Sequence, residues 1–160
     1  MTELQSITLR DANQSDMPFL VELRRLSMAR VVTNQLQWIE AAQKERVLVH
    51  FESARIICSD GRDIGLLKVV YGPNLVHLCQ IQLLPEFQGK GIGTMLIGKL
   101  QQEVESFGVS ISLSVFRSNP ALNLYTRKGF CICADDADSY TMVWHPSGIS
   151  NHGDDGDAIY

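Results

Sequence analysis

The feature that most restricts how this chain can fold is a cluster of three glycines between an apolar strand and a helix. The segment runs from Leu83 to Thr94 and reads LLPEFQGKGIGT. The first N–H groups of a helix have no partner within the helix, so such a junction directs several donors at one point beside the positive end of the helix dipole. Glycines allow an anion to approach this backbone closely. The junction therefore predicts a binding site for a phosphate or a pyrophosphate.

Two common phosphate-binding patterns do not fit this segment. A P-loop requires GxxxxGK[ST], and the sequence contains no such string. A dinucleotide-binding fingerprint requires GxGxxG, but Thr94 stands where the third glycine would follow Gly89 and Gly91. The remaining alternative is a loop that only leads the chain into a helix. The alternation of glycines with other residues favours the anion site over that alternative.

The order of the predicted elements indicates a mixed α/β (α+β) fold. Apolar periodicity and turn signals predict the order β-α-α-β-β-β-α-β-α-β-β, with an antiparallel meander in the middle. We expect a mostly antiparallel central sheet of about six or seven strands flanked by about four helices. The strands are predicted over residues 7–10, 54–58, 64–71, 75–84, 109–116, 130–134 and 140–144, and the second helix over residues 37–52.

The chain is predicted to form one domain over residues 1–146, which is long enough to bury a sizeable core. Residues 147–160 are expected to be a disordered acidic tail. The net charge is −4, but three of the acidic groups lie in that tail, so the body is close to neutral. A neutral body lacks the positive surface that a nucleic-acid partner requires. An anionic ligand must therefore be held by local geometry.

Two segments of the sequence resemble the GNAT acetyltransferase superfamily. Leu83 followed by QGKGIG at residues 88–93 is similar to that family's apolar strand residue and Q/R-x-x-G-x-G/A signature. NPA at residues 119–121, then Tyr125 and KGF at residues 128–130, resembles its N-x-x-A-x-x-x-Y-x-x-x-G-F segment, with the alanine shifted. The resemblance covers about residues 5–146 and includes the element order. It implies the acyl-CoA N-acyltransferase fold.

The resemblance implies transfer of an acetyl group from acetyl-coenzyme A to a primary amine of a small molecule, an amino acid or a peptide. The loop amides from Gln88 to Thr94 would hold the pyrophosphate, and the strand that ends at Leu83 would pair with the pantetheine arm. Strands 75–84 and 109–116 would separate to form the slot for that arm. The residues that the resemblance implies for coenzyme binding are Leu83, Leu84, Gln88, Gly89, Lys90, Gly91, Gly93, Thr94 and Asn119.

Tyr125 occupies the position at which the family places its proton donor. When the amine attacks the thioester, the departing thiolate benefits from a nearby donor, since a thiol has a pKa of about 8.5 and a phenol about 10. A buried tyrosine whose hydroxyl is satisfied elsewhere is the alternative. We expect Tyr125 to be the general acid.

The general base is less evident, because the strand before the loop carries no carboxylate at its middle positions. His77 is the predicted base, and regular alternation would place it on the same face as Cys79 and Ile81. An imidazole with a pKa near 6.5 suits this role. The alternative is that Gln80 or Gln82 orients a water molecule.

The residues that bind the acceptor amine are expected within residues 16–52 and in nearby loops. Possible contacts are Arg24, Arg30, Gln35 and Trp38, although Arg24 and Arg25 also suit an exposed helix face. A second possibility is the acidic segment 135–138, which either attracts a cationic amine or forms only a surface turn.

Further expectations follow from composition. Cys58, Cys79, Cys131 and Cys133 form no CxxC pair and do not cluster with histidines, which predicts free, mostly buried thiols and no metal site. No secretory signal or membrane-spanning stretch is evident, so we expect a cytoplasmic protein without a membrane partner, either a monomer or a homodimer. A coenzyme A-binding module without turnover and a non-catalytic interaction domain remain alternatives to the enzyme.

Overall fold

The structure is a computed structural model that describes residues 6–27 and 40–147. Its order of strands and helices is the predicted one. The elements are β1 (Ile7–Asp11), α1 (Met17–Ser27), α2 (Glu40–Leu48), β2 (Ala54–Ser59), β3 (Arg62–Tyr71), β4 (Leu75–Leu83), α3 (Ile92–Glu105), β5 (Ser110–Phe116), α4 (Ala121–Arg127), β6 (Cys131–Asp135) and β7 (Ser139–Trp144).

The strands form one seven-stranded sheet in the order β1-β2-β3-β4-β5-β7-β6. All neighbours are antiparallel except β4 and β5, which are parallel. The predicted mixed, mostly antiparallel sheet is confirmed. The parallel pairing extends only from Leu75 opposite Ser110 to Leu78 opposite Leu113, so the two strands separate beyond these residues.

The two faces of the sheet are covered by different helices. On one face, α3 and α4 pack over the centre of the sheet, and on the other, α1 and α2 pack over β2 and β3. Burial of apolar side chains on both faces supplies the main stabilising free energy of such a layered domain. The first core includes Val76, Leu78, Ile97, Leu100, Ile111, Leu113 and Met142, and the second includes Leu20, Leu23, Val47, Ile56 and Leu66.

A β-bulge interrupts β4 at the point where β5 separates from it. Lys68 is opposite Gln80 and Val69 is opposite Leu78, so Cys79 has no opposite residue in β3. An extra residue of this kind changes the face that the following side chains occupy. The expectation that His77 shares a face with Ile81 is therefore wrong. Ile81 packs with the core beneath α3, whereas the pairing register places His77 on the α1–α2 face.

Several predicted boundaries differ from the structure. α2 ends at Leu48 rather than at residue 52, because His50 adopts a left-handed conformation with φ of 53°. α3 ends at Glu105, before Phe107, which is 75% exposed. The predicted start of the second helix at residues 37–39 and the tail from residue 148 lie outside the described residues.

The cysteines are all free thiols in the structure, but the expectation that most are buried is wrong. Cys58 is buried and Cys79 is half-buried, whereas Cys131 and Cys133 are exposed on the edge strand β6. A strand with a single neighbour has little around it to cover its side chains.

Candidate active site

The glycine-rich loop between β4 and α3 presents unpaired backbone donors. Gly89 and Gly91 have φ of 74° and 87°, in the left-handed region that favours glycine, and Gly91 is the N-cap of α3 without a side-chain cap. Within the described part of the chain, the amides of residues 89–94 form no backbone hydrogen bond. These donors lie at the positive end of a fourteen-residue helix, an arrangement that binds phosphate groups.

Gln88 contributes to this loop through its side chain and not through its backbone N–H, which was expected to bind the pyrophosphate. Its backbone N–H already donates to the Pro85 carbonyl at 3.2 Å, so it is not available to a phosphate. Its side-chain Nε2 donates to the Leu83 carbonyl at 2.9 Å, which ties the loop to the end of β4. The structure thus gives Gln88 a role in holding the shape of the loop.

A single cleft of about 970 Å³ connects this loop to the opening between β4 and β5. The edge of β4 from Cys79 to Leu83 has no pairing with β5, and α4 borders the opposite wall. Of the residues expected at the coenzyme site, the cleft is lined by Leu83, Gln88, Gly89, Gly91, Gly93, Thr94 and Asn119. Leu84 packs instead against the core beneath α1, and the Lys90 side chain is exposed.

Asn119 lies at the start of α4, on the wall of the cleft. Its Oδ1 accepts a hydrogen bond from the Ala121 N–H at 2.9 Å, which satisfies one of the free donors at the helix start. Asn119 thus caps the start of α4 from two residues before Ala121, where regular helical structure begins.

Tyr125 lies in the middle of α4 with its ring buried in the core. The ring packs edge-to-face on Phe130, with 5.9 Å between the ring centroids. Burial raises the pKa of Tyr125 to about 12. The residue also lines the cleft, and its hydroxyl forms no hydrogen bond with the described residues. The phenol is therefore protonated at neutral pH, and the observed contacts leave its hydroxyl free for a ligand.

His77 lines the same cleft just before the bulge. Its Nδ1 is 2.8 Å from the Oγ of Ser112, the residue directly opposite it on β5. Burial, with a smaller effect of His50, lowers the pKa of His77 below its ordinary value of 6.5. The imidazole is therefore neutral at pH 7, which is the state a proton acceptor requires.

The two glutamines that follow the bulge lie on the same side as His77. Gln80 and Gln82 are opposite Lys68 and Leu66, whose side chains face the α1–α2 layer, and both glutamines line the cleft. Gln80 Oε1 is buried without a hydrogen-bond partner among residues 6–27 and 40–147. An unsatisfied buried acceptor costs free energy unless a ligand or water binds it.

Two cations in this region are buried against the cleft. Of the two possibilities left open for Arg24, an acceptor contact or an exposed helix face, the exposed face is wrong, because Arg24 is buried and lines the cleft, and its Nε donates to Gln43 Oε1 at 2.6 Å. Lys68 is 2% exposed and also lines the cleft. Its Nζ donates to the carbonyls of Val47 and Val49 at 3.0 and 2.6 Å, which satisfies the end of α2. Sequence reasoning missed Lys68, although a lysine within an apolar strand indicates a buried cation of this kind.

The other residues predicted to bind the acceptor either do not line the cleft or lie outside the described residues. Asp135 and Asp136 lie near the turn between β6 and β7, where Arg117 donates to the Asp135 carboxylate and to the Asp136 carbonyl. None of the acidic residues of segment 135–138 lines the cleft, so the structure favours the surface turn. Arg30, Gln35 and Trp38 lie outside the described residues. No helix in the described part of the chain is long and apolar enough to cross a membrane.

Comparison with known proteins agrees with this geometry. A family model described as the acetyltransferase (GNAT) family matches residues 10–130. A curated mouse protein, thialysine N-epsilon-acetyltransferase, is 29% identical, and the match covers 76% of this chain and 82% of that protein.

Solved structures show the same fold. The PaiA N-acetyltransferase from Thermoplasma acidophilum, in complex with coenzyme A, superposes with a TM-score of 0.71 at 23% identity over 88% of this chain and 99% of that one. The ribosomal-protein-S18-alanine N-acetyltransferase from Escherichia coli gives a TM-score of 0.66 at 20% identity over 97% and 99%.

These matches confirm the resemblance and the acyl-CoA N-acyltransferase fold that it implied. The matched region of the family model spans the glycine-rich loop, the opening between β4 and β5 and the helix that carries Tyr125. The chain belongs to the acetyltransferase (GNAT) family, and the expectation of an acetyl-CoA-dependent N-acetyltransferase is confirmed at the level of that family.

Proposed function

We propose that this protein transfers the acetyl group of acetyl-coenzyme A directly to a primary amine of a small molecule, an amino acid or a peptide. The observation that carries the proposal is the meeting of three features in one cleft. The unpaired amides of residues 89–94 adjoin the unpaired edge of β4, and His77 and Tyr125 line the same space. Donors for a diphosphate, a strand edge for an amide-containing arm and two proton-transfer groups are what such a reaction needs.

The backbone is suited to hold the coenzyme. The amides of residues 89–94 would donate to its pyrophosphate, and the β4 edge from Cys79 to Leu83 would pair with the pantetheine amides as an added strand. Asn119 would contact the same arm from the opposite wall. The acetyl carbonyl would then lie near the bulge at Cys79, where a backbone N–H of β4 is proposed to donate to the developing oxyanion.

His77 is proposed as the base that removes a proton from the attacking amine. In the neutral tautomer that donates from Nδ1 to Ser112 Oγ, Nε2 carries the lone pair and accepts the proton. Gln80, whose Oε1 is buried without a partner, would accept a hydrogen bond from the same amine and hold it for attack. In the alternative, a water molecule oriented by Gln80 or Gln82 accepts the proton, and both glutamines lie on the same side of β4 as His77.

Tyr125 is proposed as the general acid. Its hydroxyl remains protonated through the physiological range because its pKa is raised to about 12. It would donate to the sulfur as the carbon–sulfur bond breaks and negative charge develops there. Since a thiol has a pKa of about 8.5, this donation acts on the charge that forms in the transition state.

The second candidate function is a coenzyme A-binding module with little turnover, since the described residues that line the cleft include no carboxylate to serve as base. Purified protein with acetyl-coenzyme A and a panel of amines distinguishes the two. The enzyme releases free thiol in an amine-dependent manner and forms an acetylated amine of the expected mass. Binding of coenzyme A without amine-dependent thiol release would support the module.

Coenzyme A should stabilise the folded protein. A ligand at about 100 times its dissociation constant adds roughly 2.7 kcal/mol to the free energy of unfolding. For a domain of this size we expect Tm to rise by roughly 5 to 10 °C, measured by thermal denaturation with and without millimolar coenzyme A. Adenosine, which lacks the diphosphate, is the control. An unchanged Tm would contradict both functions and leave an interaction domain.

Replacement of His77 tests the base. We expect His77→Gln to lower kcat by about 10²- to 10⁴-fold, the usual contribution of a general base. In the wild type, kcat should fall at a pH below the ordinary imidazole pKa of 6.5, because burial lowers the pKa of His77 and the imidazole becomes protonated only there, and this acidic limb should disappear in the variant. Ser112→Ala should keep the limb but lower kcat about tenfold, since it removes only the hydrogen bond to Nδ1. An unchanged pH–rate profile in His77→Gln would assign the role to another group.

We also propose that the protein acts in the cytoplasm. Its four cysteines are free, and two of them are exposed, which suits a reducing compartment.

A further inference from the structure

The end of the cleft formed by α1, α2 and β3 carries unbalanced positive charge. Arg24, Arg46 and Lys68 line it, with His50 beside them. Among the described residues that line the cleft, none is Asp or Glu. The whole chain has a net charge of −4, so this local positive charge is opposite in sign to that of the protein.

Lys68 and Arg24 are both buried, and Arg24 has 8% of its surface exposed. Lys68 donates to two backbone carbonyls, whereas Arg24 has less to balance it. Its hydrogen-bond partner in the described part of the chain is the neutral side chain of Gln43. Arg46 is close enough to lower the pKa of Arg24 further, after the larger effect of burial. Buried charges in proteins are ordinarily paired. Other arginines of this chain do form ion pairs with carboxylates, namely Arg10, Arg25, Arg62 and Arg117.

Ser27 provides a second, independent observation. It follows Arg24 by three residues on α1, so the two side chains lie on the same face of the helix. Its Oγ is buried without a hydrogen-bond partner in the described part of the chain, and the residue lines the cleft. The sequence of residues 28–39 contains no Asp or Glu, so that segment does not neutralise the site wherever it lies.

We propose that the acceptor is an amine that also carries an anionic oxygen group, a carboxylate or a phosphate, which Arg24, Arg46 and Ser27 bind. This inference rests on the proposed acetyl transfer and specifies its substrate class. Two guanidinium groups and a hydroxyl match the several acceptor oxygens of such a group, and bidentate pairs are strong in a partly buried site.

The two buried side-chain atoms without a partner among the described residues would have distinct roles in this proposal. Ser27 Oγ lies with the cations and would donate to the anionic group, whereas Gln80 Oε1 lies beside the bulge and would accept from the amine. A zwitterionic acceptor satisfies both Ser27 Oγ and Gln80 Oε1. A polyamine satisfies only Gln80 and places further positive charge beside the arginines, which is unfavourable.

Matched amines test the proposal. Lysine and cadaverine differ by the carboxylate, and O-phosphoethanolamine and ethanolamine differ by the phosphate. We expect kcat/KM for acetylation to be higher by about tenfold or more for the anionic member of at least one pair, which also identifies the preferred anion. Equal or better use of cadaverine and ethanolamine would overturn the proposal.

Variants of Arg24 and Arg46 test whether these residues cause the preference for an amine with an anionic group. Arg24→Gln should lower kcat/KM for the preferred anion-bearing amine about 10- to 100-fold and change that of its counterpart without the anionic group little. Arg46→Gln, at an exposed position, should act in the same direction and does not depend on a buried substitution being tolerated. Arg25→Gln removes the same charge from the exposed side of α1 and is the matched control. Equal loss for both members of the pair in Arg24→Gln would count against anion recognition.

A binding experiment distinguishes this inference from the proposed function. The protein is saturated with coenzyme A, and Tm is measured with each member of the two pairs at equal concentration. A larger rise with the anionic member in the wild type, absent in Arg24→Gln and Arg46→Gln, supports the anion site even if no acetyl transfer occurs. Acetyl transfer without any preference between the paired amines, in rate or in Tm, would retain the enzyme and reject the anion site.

Discussion

Gly91→Asp is expected to abolish binding of coenzyme A, because it places a carboxylate at the N-terminus of α3 where the pyrophosphate is proposed to lie. Two unit charges about 5 Å apart at an effective dielectric constant of about 20 repel by roughly 3 kcal/mol, which corresponds to more than a hundredfold in Kd. Nothing lies within 4 Å of the position of an added Cβ at Gly91, so the loss does not require a steric clash. Titration of coenzyme A, followed by calorimetry, measures it.

Two control variants separate the effect of the added charge at Gly91 from the effect of backbone strain there. Gly91→Asn has the same shape and φ requirement without the charge, and asparagine tolerates the left-handed region better than most residues. It should bind coenzyme A more tightly than Gly91→Asp by at least tenfold. Gly108→Asp places the same substitution at another glycine of positive φ, 68°, with open space around it and outside the cleft. Normal affinity in Gly91→Asp would show that the loop is not the pyrophosphate site.

Tyr125→Phe is expected to lower kcat by about 10²- to 10⁴-fold while the Kd for coenzyme A stays within about threefold of the wild type. The ring remains to pack on Phe130, so the core is preserved, and only the hydroxyl is lost. An interaction made mainly in the transition state lowers kcat and kcat/KM together. Steady-state kinetics of thiol release, together with coenzyme titration, gives both quantities.

Tyr71→Phe is the matched control for this experiment. It removes a hydroxyl that donates to Glu103 at 3.0 Å, on a residue that is exposed and does not line the cleft. It should leave kcat unchanged. If Tyr125→Phe also retained wild-type kcat, the donor to the leaving sulfur would have to be another group.

The order of strands and helices could be predicted because it depends on local patterns. The two-residue period of β2 to β5 and the helical period after Gly93 appear in contiguous residues, and the structure reproduces their order. The predicted separation of β4 from β5 is also present, beyond Leu78 and Leu113. Helix ends were less predictable. α2 stops at Leu48 because His50 turns the chain and Lys68, on another strand, binds the last carbonyls.

It was harder to predict which face of a helix or strand a charged or polar side chain occupies. Arg24 follows the core residue Leu23 directly on α1, so a helical projection alone does not decide whether it faces solvent or the cleft. Its burial and its hydrogen bond to Gln43 arise from the packing of α2 against α1. Similarly, the bulge at Cys79 is a property of how β3 and β4 pair, and it alone moves Gln80 to the side of His77 and Ile81 to the other.

The sequence by itself determined the glycine-rich junction between β4 and α3 and the sheet around it, because glycines at positive φ, helix starts and alternating strands are preferences of neighbouring residues. The tertiary structure alone decided which side chains meet in the cleft. His77 contacts Ser112, and Arg24 lies near Arg46, because strands and helices distant in sequence pack against each other. Burial among those elements lowers the pKa of His77 and raises that of Tyr125, and burial of a group is set by the whole fold rather than by its neighbours in the chain.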